Sequence, residues 1–402
     1  MIKKILSYTL LLALLVPFKF SSATVSPVLG ASLSSDSDEP SLHVGGALRF
    51  NLLLQNYESD ITPNSGTFTL DTWRLNAVYN NPGGIGMNFE YRFYPTFNTH
   101  FIKQAWLQYD FSPQTQAQLG VTQVPFGNLQ YNSNNWWFSL NYYVGLEDDH
   151  DMGIKFTHRT DSWQWDFAYF FQPEPAGPAN GEAAFNFGGS GRYSYDVIPD
   201  GDLSLQERNQ FNVRGAYQLP NGEVGASVQF GQLYNEVLDE FDTRYALAAH
   251  ANLNYGNFNV KPQLTYYNMN ATDDFGNTSP VVRMGAYGSP YDVATDALIA
   301  TLGLAYSYDV DWGPVTNLLF YNDFSYMEKY LDEDFDAEHV IQNITGVLLS
   351  AGPVFTYFDI AQGYNHPWLT DDFGVGLGPG HGDLGGEAEY NIRFNINIGF
   401  YF

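Results

Sequence analysis

Arg49, Arg92, Lys155, Arg214, Arg244, Lys261 and Arg393, with Arg74 beside them, are the residues of this 402-residue chain whose types and spacing bear most directly on chemistry. Each falls on the polar side of a stretch in which apolar and polar residues alternate. Strand side chains point to opposite faces in turn, so the alternation sets all eight on the polar faces of their strands. Fewer acids share that side; Glu90 and Asp166 are the clearest, with Asp359 a third. Fixed positive charge along a narrow, low-dielectric passage would bias permeation toward anions. Arginines that bridge carboxylates inside a polar interior would give the same pattern, and both readings stay open.

A second group lies in residues 124–150, which contain no Lys or Arg. Trp136, Trp137, Phe138, Tyr142 and Tyr143 come first, followed by Glu147, Asp148, Asp149 and His150. The aromatics could pack this segment against a wall or form a sliding surface for sugars. The carboxylates could repel anions or pair with inward arginines. Asp332, Asp334 and Asp336 have the alternate spacing of a calcium loop, but its central Gly and closing Glu are missing, so no metal site is expected. None of the eight His stands at a compelling spacing from a Ser and an acid, so neither enzyme chemistry nor a cofactor is expected. The absence of cysteine excludes disulfides and thiolate metal sites.

Strands must position these residues. From Tyr390 to Phe402 every even position is apolar, while Asn391, Arg393, Asn395 and Asn397 hold odd ones. Aromatics at both ends and about 9–11 tilted residues suit a strand that crosses a bilayer. Sixteen such stretches are marked: 42–57, 67–79, 84–95, 101–111, 115–123, 151–158, 162–171, 208–219, 223–234, 243–255, 257–268, 296–309, 314–326, 338–349, 354–362 and 388–402. Short turns such as Asn80-Asn81-Pro82-Gly83 and Pro220-Asn221-Gly222 alternate with longer connections on the whole, four of which (124–150, 172–207, 269–295 and 363–387) are long. That sorting predicts an all-β fold, a 16-stranded antiparallel transmembrane β-barrel with short periplasmic turns and long extracellular loops. A barrel of this size leaves an aqueous channel. Outer girdles also account for an aromatic content of 17%.

Lys3 and Lys4, the apolar run Ile5–Val16 and Ser21-Ser22-Ala23 read as a signal peptide over 1–23. A short acidic segment at 24–41 and a barrel at 42–402 complete the expected organisation, in a bacterial outer membrane. The formal charge is −27, and most acids lie in the longer connections, where Arg192, Arg283 and Lys329 are the bases. An acidic surface without a basic patch argues against nucleic-acid binding. The partners expected are outer-membrane lipid and small hydrophilic solutes or inorganic anions. A general or sugar-permeable pore and an adhesive or structural barrel are the alternatives.

Three stretches carry a family resemblance: Gln104-Ala105-Trp106-Leu107-Gln108-Tyr109-Asp110, Leu119-Gly120-Val121-Thr122-Gln123-Val124-Pro125-Phe126-Gly127, and Asp151-Met152-Gly153-Ile154. Here the chain resembles the phosphate-selective porin O and P family. The resemblance is most specific over 101–171 and architectural elsewhere. It implies a 16-stranded outer-membrane porin, commonly a homotrimer, whose third loop narrows the pore. Members that select phosphate place clustered Lys and Arg at the constriction, whereas 124–150 offers none, so the departure bears directly on phosphate specificity.

Overall fold

The computed structural model describes residues 39–57, 66–177, 191–331, 337–379 and 388–402. The expected signal peptide, most of the 24–41 segment and Asp332, Asp334 and Asp336 lie outside the described residues. The strands in chain order are β1 (Ser41–Gln55), β2 (Thr67–Asn80), β3 (Ile85–Tyr94), β4 (Thr99–Ser112), β5 (Thr115–Gln123), β6 (His150–Arg159), β7 (Trp163–Pro173) and β8 (Asp196–Val197). They continue as β9 (Leu205–Leu219), β10 (Gly222–Asn235), β11 (Glu240–Tyr255), β12 (Phe258–Met269), β13 (Val281–Gly285) and β14 (Tyr291–Ala294). The last five are β15 (Asp296–Trp312), β16 (Val315–Lys329), β17 (Val340–Ala351), β18 (Val354–Tyr364) and β19 (Tyr390–Tyr401).

All but β8, β13 and β14 form one closed antiparallel barrel of sixteen strands, each paired with its neighbours in sequence. Closure satisfies every strand edge internally, which a bilayer core without water demands. The seam joins β1 to β19, with Leu48 opposite Phe400 and Asn51 opposite Asn397. Gly46 and Phe402 exchange backbone hydrogen bonds of 2.9 and 3.1 Å. A Cβ on Gly45 would lie 2.5 Å from the Phe402 carbonyl oxygen, so the seam needs glycine for a close approach.

The alternation read from the sequence sets the two faces. Phe50, Trp73, Leu107, Phe167, Leu247 and Phe400 are exposed on the outside, where lipid replaces water as their solvent. Asn51, Arg92, Asn212, Arg214, Asn395 and Asn397 are buried within. Register shifts occur in six strand pairs, and three of them redirect charged side chains. Arg49 pairs with Thr72 while Phe50 pairs with Leu70, so Asp71 is an extra residue turned inward. Glu90 pairs with Gln104 and Tyr91 with Ile102, which turns Lys103 inward in the same way. In β9, Asn209 at φ 50° reverses the alternation, so Glu207 and Gln210 both face the lumen.

The loops behave as their lengths predict. Short turns lie on the periplasmic side, and the long connections 124–149 (L3), 174–204 (L4), 270–295 (L6) and 365–389 (L8) lie on the outer side. Beyond the expected elements, L4 and L6 contribute a three-stranded sheet in the order β14-β13-β8. Its strands are only two to five residues long, too short for a periodic signal in the sequence.

Candidate functional site

L3 turns inward at its first residues and crosses the lumen. A backbone hydrogen bond of 2.8 Å from Val124 to Asp149 closes its neck. At Gly127 the chain bends with φ +63°, a left-handed conformation that favours glycine. The Gly127 N–H donates to Ser227 Oγ at 3.0 Å, and its carbonyl accepts from Arg214 Nε at 2.8 Å. An added Cβ would meet the Gln263 side chain at 2.4 Å. Gln263 Oε1 then accepts the Asn128 N–H at 2.8 Å. Farther on, Asn132 Nδ2 donates to Thr301 Oγ1 at 2.6 Å, and Gln342 Nε2 donates to the Phe138 carbonyl at 2.6 Å. These partners belong to β9, β10, β12, β15 and β17, which run from two strands beyond β6 to the wall opposite it.

Two carboxylates organise the loop. Asp323 on β16 accepts four hydrogen bonds of 2.8 to 2.9 Å, from the backbone and side-chain nitrogens of Asn134 and Asn135. Glu147 folds back into L3 and accepts five, from Asn132 N, Ser133 N and Oγ, and Ser139 N and Oγ, between 2.5 and 3.2 Å. Burial pushes the Glu147 carboxyl above the ordinary carboxylate range, while those donors pull against it. Asp148 accepts from Lys103 Nζ at 2.8 Å and Tyr193 Oη at 2.6 Å, and burial also raises its carboxyl. Asp149 lies at the loop root, raised by burial and by the nearby Glu207 and Glu174 charges.

The L3 aromatics divide between two jobs. Trp136 lies against the Arg49 guanidinium, 3.9 Å from the ring centroid, and Trp137 against Arg393 at 4.4 Å. Such cation–π contacts suit charges with little water around them. Tyr142 and Tyr143 are buried in an aromatic cluster with Tyr193, Tyr195, Tyr291 and Phe101, contributed by L3, L4, β14 and β4.

The eight inward bases stand along the wall, each with partners. Arg49 is 3.6 Å from Asp71, and Glu90 lies between Arg74 at 3.7 Å and Arg92 at 2.6 Å. Arg214 bonds Glu223 and is 3.7 Å from Asp166, while Arg244 bonds Glu207. Lys155 donates to the Gln123 carbonyl at 2.8 Å, and Lys261 to the Ser133 carbonyl at 3.4 Å. Among the described residues these two lysines have no carboxylate within 4.0 Å. Arg92, Arg214, Arg244 and Arg393 are buried. Arg49, Arg74, Asp71 and Glu90 keep side chains 12 to 19% exposed, and Lys155 and Lys261 are likewise partly accessible.

An excess of base on the wall, expected from parity, is therefore answered in part by acids that the alternation did not show. Asp71 and Glu207 turn inward through bulges, as does the ninth base, Lys103. Glu223 and Asp323 were legible, since each alternates with outward apolar neighbours such as Val224 and Phe324.

L8 closes over the same cluster through His366. Its Nε2 contacts Gln342 Oε1 at 2.8 Å, and its Nδ1 accepts the Trp368 N–H at 3.1 Å, an arrangement that needs the neutral ring. Burial pulls its pKa down to about 3. A released L8 would take up the proton nearer the ordinary value of about 6.5, so the contribution is full above that pH and lost as pH falls toward 3. At pH 5 about 2 kcal/mol of L8 docking is expected to be gone. Hydrogen exchange across 365–379 should accelerate between pH 7.5 and 5 after correction for intrinsic rates, and a His366→Gln variant should lose that dependence.

No protein-family model matches the sequence, and no curated protein matches it. Solved structures do. The outer membrane channel DcaP of Acinetobacter baumannii superimposes with a TM-score of 0.61 at 11% identity, over 92% of this chain and 99% of that one. The anion-selective porin from Comamonas acidovorans gives 0.59 at 14% identity, over 90% and 100%. OmpT, an outer membrane protein of Vibrio cholerae in its trimer form, gives 0.54 at 13% identity, over 91% and 100%. At these identities the likeness is one of fold, and the fold is that of the outer-membrane porins.

Proposed function

We propose that this chain is a bacterial outer-membrane channel for passive diffusion of small hydrophilic solutes or inorganic ions, narrowed by L3 and mildly anion-preferring. The observation that carries it is L3 itself, pinned across the lumen of a closed sixteen-stranded barrel by Asp323, Gln263 and Gln342. The preference is assigned to Lys155 and Lys261, the partly accessible inward bases without a carboxylate partner among the described residues. Unmatched charge in a narrow low-dielectric passage biases permeation, whereas matched pairs largely cancel. Phosphate specificity, implied by the family resemblance, has less support, because Lys103 and Arg214, two bases that touch L3, are held by the carboxylates of Asp148 and Glu223. The proposed assembly is a homotrimer in outer-membrane lipid, and no enzymatic step is assigned.

The test is the reversal potential of the purified protein in a planar bilayer under a KCl gradient. The native channel should favour chloride. Lys155→Glu combined with Lys261→Glu should shift the permeability ratio several-fold toward potassium, on the order expected for reversing lining charges. A native potential that favours potassium would remove the anion preference. A second reading, a structural barrel without a pore, is favoured by the buried aromatic cluster that L3, L4 and L6 share and would show no current at all.

A further inference from the structure

We infer that Asp149, Asp151 and Asp196 bind a divalent cation, calcium by preference, at the root of L3. The three residues come from the end of L3, the start of β6 and β8 in L4. Each offers a carboxylate oxygen, and these oxygens all lie within 4.8 Å of one another. Two oxygens bound to one calcium at about 2.3–2.6 Å can stand no farther apart than roughly 5 Å, so the spacing suits a shared ion. The side chains are buried, with residue exposures of 6, 1 and 1%.

Unpartnered oxygens support the site independently of the clustering. Asp149 Oδ1, Asp151 Oδ1 and both carboxylate oxygens of Asp196 have no hydrogen-bond donor. Glu174 Oε2, in a fully buried side chain, also has none, while its Oε1 takes the N–H groups of Tyr193 and Ser194 at 3.0 and 2.8 Å. The neighbouring positive charges are already engaged. Arg244 is bonded to Glu207 and Gln210, and Arg192 Nε donates to the Glu174 carbonyl at 3.0 Å while standing 3.5 Å from Asp196. Gln210 Nε2 donates to Asp151 Oδ2 at 3.0 Å, and Arg192 is the one base within 4.0 Å of the three carboxylates among the described residues. The buried acids therefore outnumber their donors and counter-charges, a strongly unfavourable arrangement that a cation relieves. An all-oxygen cage suits calcium better than magnesium, which keeps much of its own water. A rim cleft lined by Glu174, Arg192, Val197 and Arg208 adjoins the cluster and offers a route for the ion. None of this depends on whether the barrel conducts.

The probe is terbium, a calcium surrogate whose luminescence nearby tyrosines sensitise; Tyr195 precedes Asp196 in the chain. Chelator-treated full-length protein in detergent should bind one equivalent saturably, and calcium should displace it. Asp196→Asn should weaken binding at least tenfold, whereas Asp273→Asn at a half-buried L6 position should leave it unchanged. Absence of saturable binding to the native protein, or equal binding by Asp196→Asn, would overturn the site. Should Asp196→Asn fail to fold, the native protein decides: calcium must slow hydrogen exchange across 146–151 and 193–197, and no slowing refutes the site.

Discussion

Glu147→Ala is expected to free L3 and to raise the single-channel conductance several-fold. Among the described residues Glu147 alone ties Asn132, Ser133 and Ser139 to one point, and it does so from within the loop. Removing it leaves the three backbone N–H groups and two hydroxyls without their acceptor in a buried setting. An orphaned buried donor costs about 1–3 kcal/mol, and neighbouring losses do not simply add, so a loss of roughly 3–5 kcal/mol in loop stability is reasonable. The barrel should survive, because its strand pairing does not pass through Glu147. Electrophoretic heat-modifiability should stay native while conductance and solute size limit rise. Glu147→Gln keeps one acceptor oxygen and should fall between. Unchanged conductance with a folded barrel would mean that L3 does not set the constriction.

Arg214→Met should have the largest effect on the barrel as a whole. Its guanidinium is 1% exposed and joins three separate parts: Gly127 of L3, Glu223 of β10, and Asp166 of β7 at 3.7 Å. It also lies 3.1 Å from His250 Nε2. Methionine approximates the stem but leaves two inward carboxylates without their cation. Breaking a buried pair from one side typically costs about 3–5 kcal/mol. The guanidinium-chloride unfolding midpoint in detergent should fall accordingly, and a triple variant adding Asp166→Asn and Glu223→Gln should recover much of the loss. A shift below about 1 kcal/mol would show that water already screens the pair.

Much of this architecture is legible in the sequence because a barrel strand announces itself through a strict two-residue period. The sixteen stretches fall on the sixteen barrel strands, and Tyr390–Phe402 shows the parity most plainly. A bulge erases that legibility locally. Lys103, Asp71 and Glu207 each owe their inward direction to one extra or reversed residue, which leaves no mark in the alternation. Asp71 and Glu207, together with Glu223 and Asp323, which the alternation does show, make the wall of the folded chain less basic than the eight bases alone suggest. Spatial convergence is hidden for a different reason. Asp149 and Asp196 are 47 positions apart in the chain and meet only because L3 and L4 fold over the same edge of the barrel. The sequence shows that 124–150 lacks bases, but not that Asn134 and Asn135 reach Asp323 on the far wall.

The measurement that tests the central claim most directly is single-channel recording of the native protein beside a variant with Asp323→Ala, which removes the far anchor of L3. A narrow channel set by L3 predicts small, discrete steps from the native protein and larger ones from the variant. A folded native barrel that passes no current, or identical steps from both proteins, would contradict it.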